Sequence, residues 1–128
     1  MATILVADDD RDIRELVVFK LEQQGHRVLA VSDGPSALAT ASGEVVDVAV
    51  LDVMMPGMSG LDVCKVLKSR PATASLPVIL LTAKAQEADI AAGLAGGADE
   101  YVTKPFSPRE LAARVAAVLV RPAVQGSR

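Results

Sequence analysis

Two periods of apolar spacing take turns along this chain. Short runs of mostly aliphatic or β-branched residues fall at 3–7, 26–31, 47–51, 77–81 and 99–103, and between them apolar residues recur every three or four positions. The short runs predict strands and the spaced stretches predict helices. In the first spaced stretch Ile13, Leu16, Val17 and Leu21 share a face, and Gly25 stops the helix, as a residue tolerant of positive φ does. Asp33-Gly-Pro opens the second helix, which runs through Ala37, Leu38 and Ala41. Ser59 caps the third, with Asp62 three residues on, Val63, Val66 and Leu67 turned to the core, and Pro71 in the loop beyond. A weaker, alanine-rich fourth helix follows Thr82 and is broken by Gly96-Gly97. Ser107-Pro-Arg-Glu110 starts the fifth with a cap, an N1 proline and a capping-box acid, and Leu111, Val115, Val118 and Leu119 supply its buried stripe.

The run that leads to Asp52 is the most informative. It is apolar on both faces, which suits the centre of a parallel sheet covered by helices on each side, and it ends abruptly in a carboxylate followed by turn residues. Five strands alternating with five helices imply right-handed βαβ units. The expected fold is therefore α/β, a doubly wound five-stranded parallel sheet. With strand order 2-1-3-4-5, ligands bind at the switch point beyond the carboxyl ends of the strands. Asp8 and Asp9 end the first strand, Asp52 the third and Thr82 the fourth, while Lys104 follows the fifth, so all five gather on one edge.

Composition narrows the function without setting it. A chain of 128 residues fits one domain, and with 51% hydrophobic but only 2% aromatic residues its core must be aliphatic. A net charge of -3 gives no basic footprint for a nucleic-acid backbone, so direct nucleic-acid binding is not expected. The single cysteine, Cys64, has no internal disulfide partner, and no membrane-spanning or signal-like segment is seen, which makes a cytoplasmic setting the default expectation. Residues 121–128 lose periodicity and read as a tail or the start of a linker.

The chemistry follows from crowding. Two carboxylates about 4 Å apart repel by roughly 4 kcal/mol at an effective dielectric near 20, so Asp8, Asp9 and Asp52 need a counter-charge. All-oxygen ligation favours Mg²⁺ or Mn²⁺, with a backbone carbonyl just after Asp52 as a further ligand. A metal-bound carboxylate beside the Lys104 ammonium and the Thr82 hydroxyl makes a phosphoryl site with Asp52 as nucleophile. No GxxxxGK[ST] loop is present to hold a nucleotide, so the donor phosphate must come from elsewhere.

The sequence resembles the receiver domain of a two-component response regulator, with the CheY-like (flavodoxin-like) fold. The matching pieces are Val6-Ala-Asp-Asp9, Leu51-Asp-Val-Met-Met-Pro-Gly-Met-Ser-Gly60, Leu81-Thr-Ala83 and Gly97-Ala-Asp-Glu-Tyr-Val-Thr-Lys-Pro-Phe106. The resemblance makes residues 1–120 the receiver domain. It implies that Asp52 takes phosphate from a histidine kinase or phosphotransfer protein, that Asp8, Asp9, Asp52 and the Met54 carbonyl hold Mg²⁺, and that Thr82 and Lys104 contact the phosphoryl group. Thr82 and Tyr101 would form the switch, and the Lys104-Pro105 bond is expected cis. Met54, which cannot orient a water, and Lys84, which can screen the phosphoryl oxygens, imply a long-lived phosphorylated state.

The second half is similar to receivers of the winged-helix (OmpR/PhoB) class, which implies a phosphorylation-dependent homodimer through the face of the fourth helix, fifth strand and fifth helix. Glu100 and Arg114 would pair across it, while Ile90 replaces the basic residue that would meet Glu110. The expected function is a phosphorylation-dependent signalling switch acting on a downstream output domain or protein. It is not an enzyme in the conventional sense, catalysing only its own phosphorylation and dephosphorylation. The alternative is a docking module that ignores phosphorylation. An aspartyl phosphohydrolase would want a second acid where Met54 stands. Asp10 and Asp12 read as helix-start acids, and Cys64 and His26 as packing or capping residues.

Overall fold

The structure, a computed structural model, describes residues 1–83 and 96–120. Five strands, β1 (Thr3–Ala7), β2 (Arg27–Val31), β3 (Val48–Asp52), β4 (Val78–Ala83) and β5 (Glu100–Lys104), form one parallel sheet in the order β2-β1-β3-β4-β5. The described helices are α1 (Arg11–Gln23), α2 (Gly34–Gly43), α3 (Gly60–Ser69) and a last helix, Pro108–Leu119. The alanine-rich helix expected after Thr82 and the tail at 121–128 lie outside the described residues.

Three strands run further than the apolar runs suggest. β3, β4 and β5 each begin one residue later and end one or two residues later, so Asp52, Thr82 and Lys104 belong to the strands themselves. Asp47 and Asp99 stay outside because their carboxylates accept hydrogen bonds from the backbone N–H of Thr3, at 2.8 Å, and of Val78, at 2.8 Å. These acids close the amino ends of neighbouring strands. At the other end the ladder carries Asp52 opposite Leu81 and Lys104 opposite Ala83, which fixes both side chains on a rigid element.

Alternate strand residues feed two separate cores, as pleating requires. Leu5, Ala49, Leu51 and Leu80 pack under α2 and α3, and Ile4, Val6, Val50, Ile79 and Leu81 pack under α1 and the last helix. The helix faces are narrower than the sequence pattern implies. Leu16 is 56% exposed while Val17 and Leu21 are buried, because only one stripe of α1 reaches the sheet. In α3, Cys64 joins Val63 and Leu67 in the core in place of Val66. In the last helix Ala112 completes the buried stripe, and Leu119 packs at its margin.

The caps follow local chemistry. Ser59 and Asp62 form the reciprocal capping box at α3. At the last helix Ser107 accepts from the Glu110 N–H, but the Glu110 carboxylate lies 4.0 Å from Arg114, one turn on, so only half of the expected box forms. Asp10 caps α1, its carboxylate accepting from the N–H groups of Asp12 and Ile13. His26 also caps, its Nδ1 accepting from Ala2 N–H at 3.2 Å.

Gly60 lets α3 begin directly against the end of β3. A Cβ there would overlap the Asp52 carbonyl oxygen and lie 2.9 Å from its carbonyl carbon, both backbone atoms. Gly60→Ala is therefore expected to cost about 1–3 kcal/mol in urea unfolding. A cost within experimental error of zero would show that the close approach is not needed.

Candidate functional site

Strand ends supply most of the site. Asp8, directly after β1, is fully buried, Asp52 at the end of β3 is 4% exposed, and Asp9 is exposed. One carboxylate oxygen from each of the three lies within 4.8 Å of the others, an acidic cluster that could hold a metal ion. Across the sheet edge, Lys104 places Nζ 3.1 Å from Asp8 Oδ2 and 3.3 Å from Asp52 Oδ1. One ammonium thus serves two buried carboxylates contributed by different strands.

Backbone donors complete the first layer. The Asp10 N–H donates to Asp8 Oδ1 at 2.9 Å, and the Met54 N–H donates to Asp52 Oδ1 at 3.3 Å. Arg14, which sequence reasoning passed over, reaches back from α1 to donate from Nη1 to the Asp8 carbonyl at 2.8 Å. Its signal was weak, since an arginine one turn into a helix ordinarily faces solvent.

The charges are not evenly satisfied. Burial raises the Asp52 carboxyl to about 7, the neighbouring charge of Asp8 adds to the rise, and the Lys104 charge with the Met54 N–H opposes it. For Lys104 burial works against the ammonium, but hydrogen bonds and charge from Asp8 and Asp52 outweigh it and move its proton affinity up. Three carboxylates, Asp8, Asp9 and Asp52, gather around the single ammonium of Lys104.

The remaining expected residues fall around this centre. Thr82 sits at the end of β4 with 1% exposure, and its hydroxyl donates to the Ala83 carbonyl at 3.3 Å. Tyr101 on β5 is 37% exposed. Met54 follows the strand with 62% of its surface exposed. The Lys104-Pro105 bond is cis, as expected. Glu100 and Arg114, expected to pair between copies, bond to each other within the chain at 2.7 Å, because β5 and the last helix bring them together locally. Lys84 and Ile90 lie outside the described residues.

The sequence pattern of the response regulator receiver domain matches residues 4–116. The chain is 47% identical over 121 residues to the sensory transduction protein RegX3 of Mycolicibacterium smegmatis, covering 94% of this chain and 52% of that protein. It is 48% identical over 118 residues to the alkaline phosphatase synthesis transcriptional regulatory protein PhoP of Bacillus subtilis, covering 92% and 48%. The chain thus spans about half the length of these two relatives. Among solved structures, the chemotaxis response regulator CheY4 of Vibrio cholerae superposes with a TM-score of 0.87 at 34% identity, covering 93% of this chain and 99% of that one.

The raised Asp52 carboxyl has a stability consequence. Between the ordinary carboxylate range and pH 7 the folded state holds a proton that the unfolded state has lost, so metal-free stability falls as pH rises through this window. Asp52→Asn removes that dependence. In EDTA, urea unfolding is expected to show Asp52→Asn more stable than wild type by about 1–3 kcal/mol at pH 8, with the gap closing toward pH 4. A pH-independent gap would mean that Asp52 does not titrate in this range.

Proposed function

Because this chain belongs to the response regulator receiver domain family, we propose that it is a phosphorylation-controlled switch in which Asp52 accepts a phosphoryl group from the phosphohistidine of a histidine kinase or phosphotransfer protein. The observation that carries this reading is the placement of the Lys104 ammonium within 3.3 Å of both Asp8 and Asp52 at the carboxyl edge of the sheet. A buried carboxylate held between a cation and a second acid is costly as mere structure, and phosphoryl transfer gives it a use.

The residues divide the work. An oxygen of ionised Asp52 attacks phosphorus, the P–N bond to the donor imidazole breaks with its electron pair leaving on nitrogen, and an acyl phosphate remains on Asp52. Lys104 turns from its carboxylate partners toward the new phosphoryl oxygens. The Thr82 hydroxyl, now bonded to the Ala83 carbonyl, exchanges that acceptor for a phosphoryl oxygen, and Tyr101 moves into the space released. Asp8, Asp9, Asp52 and the Met54 carbonyl would hold Mg²⁺ (or Mn²⁺), and the all-oxygen donor set suits either ion. Such an ion, when bound, would offset negative charge on the transferring group.

The consequence is a change in what the chain binds, through β5 and the neighbouring helices, with the output in a downstream domain or protein. RegX3 and PhoP carry names of sensory transduction and transcriptional regulation, and we extend that class of output to this chain. Catalysis is confined to the protein's own phosphorylation and dephosphorylation. No helix of the described residues is long and apolar enough to cross a membrane, and we place the domain in the cytoplasm with its kinase. Self-association in the phosphorylated state is part of this reading. It would build on β5 and the last helix with Glu100 and Arg114 already joined within each copy.

Acetyl phosphate with Mg²⁺, followed by intact-mass measurement, tests the proposal. Wild type is expected to gain one phosphoryl group, EDTA to prevent it, and Asp52→Ala to gain none. Lys104→Met is expected to slow labelling by about 10²–10³-fold, the scale of losing one preorganised cation at developing charge. Equal labelling of Asp52→Ala would overturn the assignment, and a wild type that stays unlabelled while still binding its partner would favour the docking module.

A further inference from the structure

We infer that the amino end of α2 is a backstop for the loop that follows Asp52, and that Gly34 is a positioning residue for the cation site. The inference rests on the metal reading given above. The loop from Val53 to Ser59 leaves the end of β3 and returns to it, with the Gly60 N–H donating to the Val53 carbonyl at 3.0 Å. Its base is therefore closed. Near the base the Met54 N–H reaches Asp52 Oδ1, and on its inner side Met55 is buried in the core. Met54, Pro56 and Gly57 are exposed, so the sheet alone does not hold the outer turn.

What stands against that turn is α2. A Cβ placed on Gly34 would come within 2.5 Å of Met58 Cβ, 2.6 Å of the Met58 carbonyl oxygen and 3.1 Å of its carbonyl carbon. None of these is the movable tip of a side chain. One residue on, the Pro35 ring would lie 3.6 Å from a Cβ added to Gly57, and Gly57 itself has φ of 82°, the left-handed conformation that favours glycine. The loop thus lies backbone to backbone on the first turn of α2, at a spacing that any side chain at position 34 would prevent.

If the contact were forced apart, the loop is the partner that would move. α2 is fixed by the Asp33 carboxylate, which accepts from the Ser36 N–H at 2.7 Å, and by Ala37 and Ala41, which are buried in the core under the sheet. The loop is tied down at its base and at Met55. Displacing Met58 would tilt the segment that carries the Met54 N–H and carbonyl, and so would alter the support of Asp52 and of the expected fourth protein ligand. Outer residues that orient metal ligands typically contribute 10–100-fold in affinity.

Titration of the metal-free protein with Mn²⁺, followed by the loss of its free-ion electron paramagnetic resonance signal, tests this directly. Gly34→Ala is expected to weaken Mn²⁺ binding by about tenfold or more. Gly43→Ala, the same substitution at the far end of the same helix where nothing lies within 4 Å, is expected to leave it unchanged. Adding Met58→Gly to Gly34→Ala removes the Cβ half of the overlap and should restore part of the loss. Should Gly34→Ala fail to fold alone, the comparison is made in the Met58→Gly background, where overlap with the carbonyl oxygen remains and a smaller loss is expected. Equal affinity with and without Gly34→Ala, or a loss that Met58→Gly does not relieve, overturns the backstop. Wild-type protein that takes up no Mn²⁺, or takes it up equally well as Asp52→Ala, overturns the metal reading and this inference with it.

Discussion

The ammonium of Lys104, held between two buried carboxylates, is the interaction on which the site depends. Asp8, directly after β1, and Asp52, the last residue of the neighbouring β3, have almost no contact with water, and their mutual repulsion would push those strand ends apart. Lys104 counters this from β5, across the whole width of β4. Parallel pairing brings the carboxyl ends of all five strands to one edge, and this strand order sets the first and third side by side with one strand between the third and the fifth. The fold is thus the means by which distant residues share a single cation, while burial first and the Asp8 charge second keep the Asp52 carboxyl above the ordinary carboxylate range.

Much of this was legible in the sequence because it depends on residue type and order. The apolar runs named the strands, and right-handed connections left few ways to arrange them. The acids, Thr82 and Lys104 could be placed on the sheet edge from their positions at the ends of those runs. Fine boundaries were not legible, because hydrogen bonding rather than hydrophobicity decides them. Asp47 and Asp99 look like strand residues by position, yet each spends its carboxylate on a neighbouring strand's first N–H. Leu16 fits the helical spacing and still faces outward, since the width of the buried stripe depends on how α1 sits on the sheet.

The part that sequence could not supply is contact between elements remote in the chain. Arg14 on the Asp8 carbonyl, Glu100 on Arg114 within one chain, and Gly34 beneath Met58 are all facts of packing. A glycine before a proline at a helix start reads as turn chemistry in sequence. In three dimensions the missing side chain is what lets a loop lie against a helix. Such residues carry no charge or hydroxyl to draw attention, so a reading that looks for reactive groups passes over them.

Cys64 brings one more property into view. Its thiol is 1% exposed beneath α3, and burial raises its proton affinity, so the reactive thiolate is scarce and inaccessible while the helix stays docked. As the single cysteine of the chain, it makes alkylation a one-site reaction. A thiol reagent therefore reports how often the α3 layer opens, as an equilibrium when reclosing outpaces alkylation and as an opening rate when alkylation is the faster step, and the molecule contains its own gauge for the breathing of the helix that follows the phosphoryl-site loop.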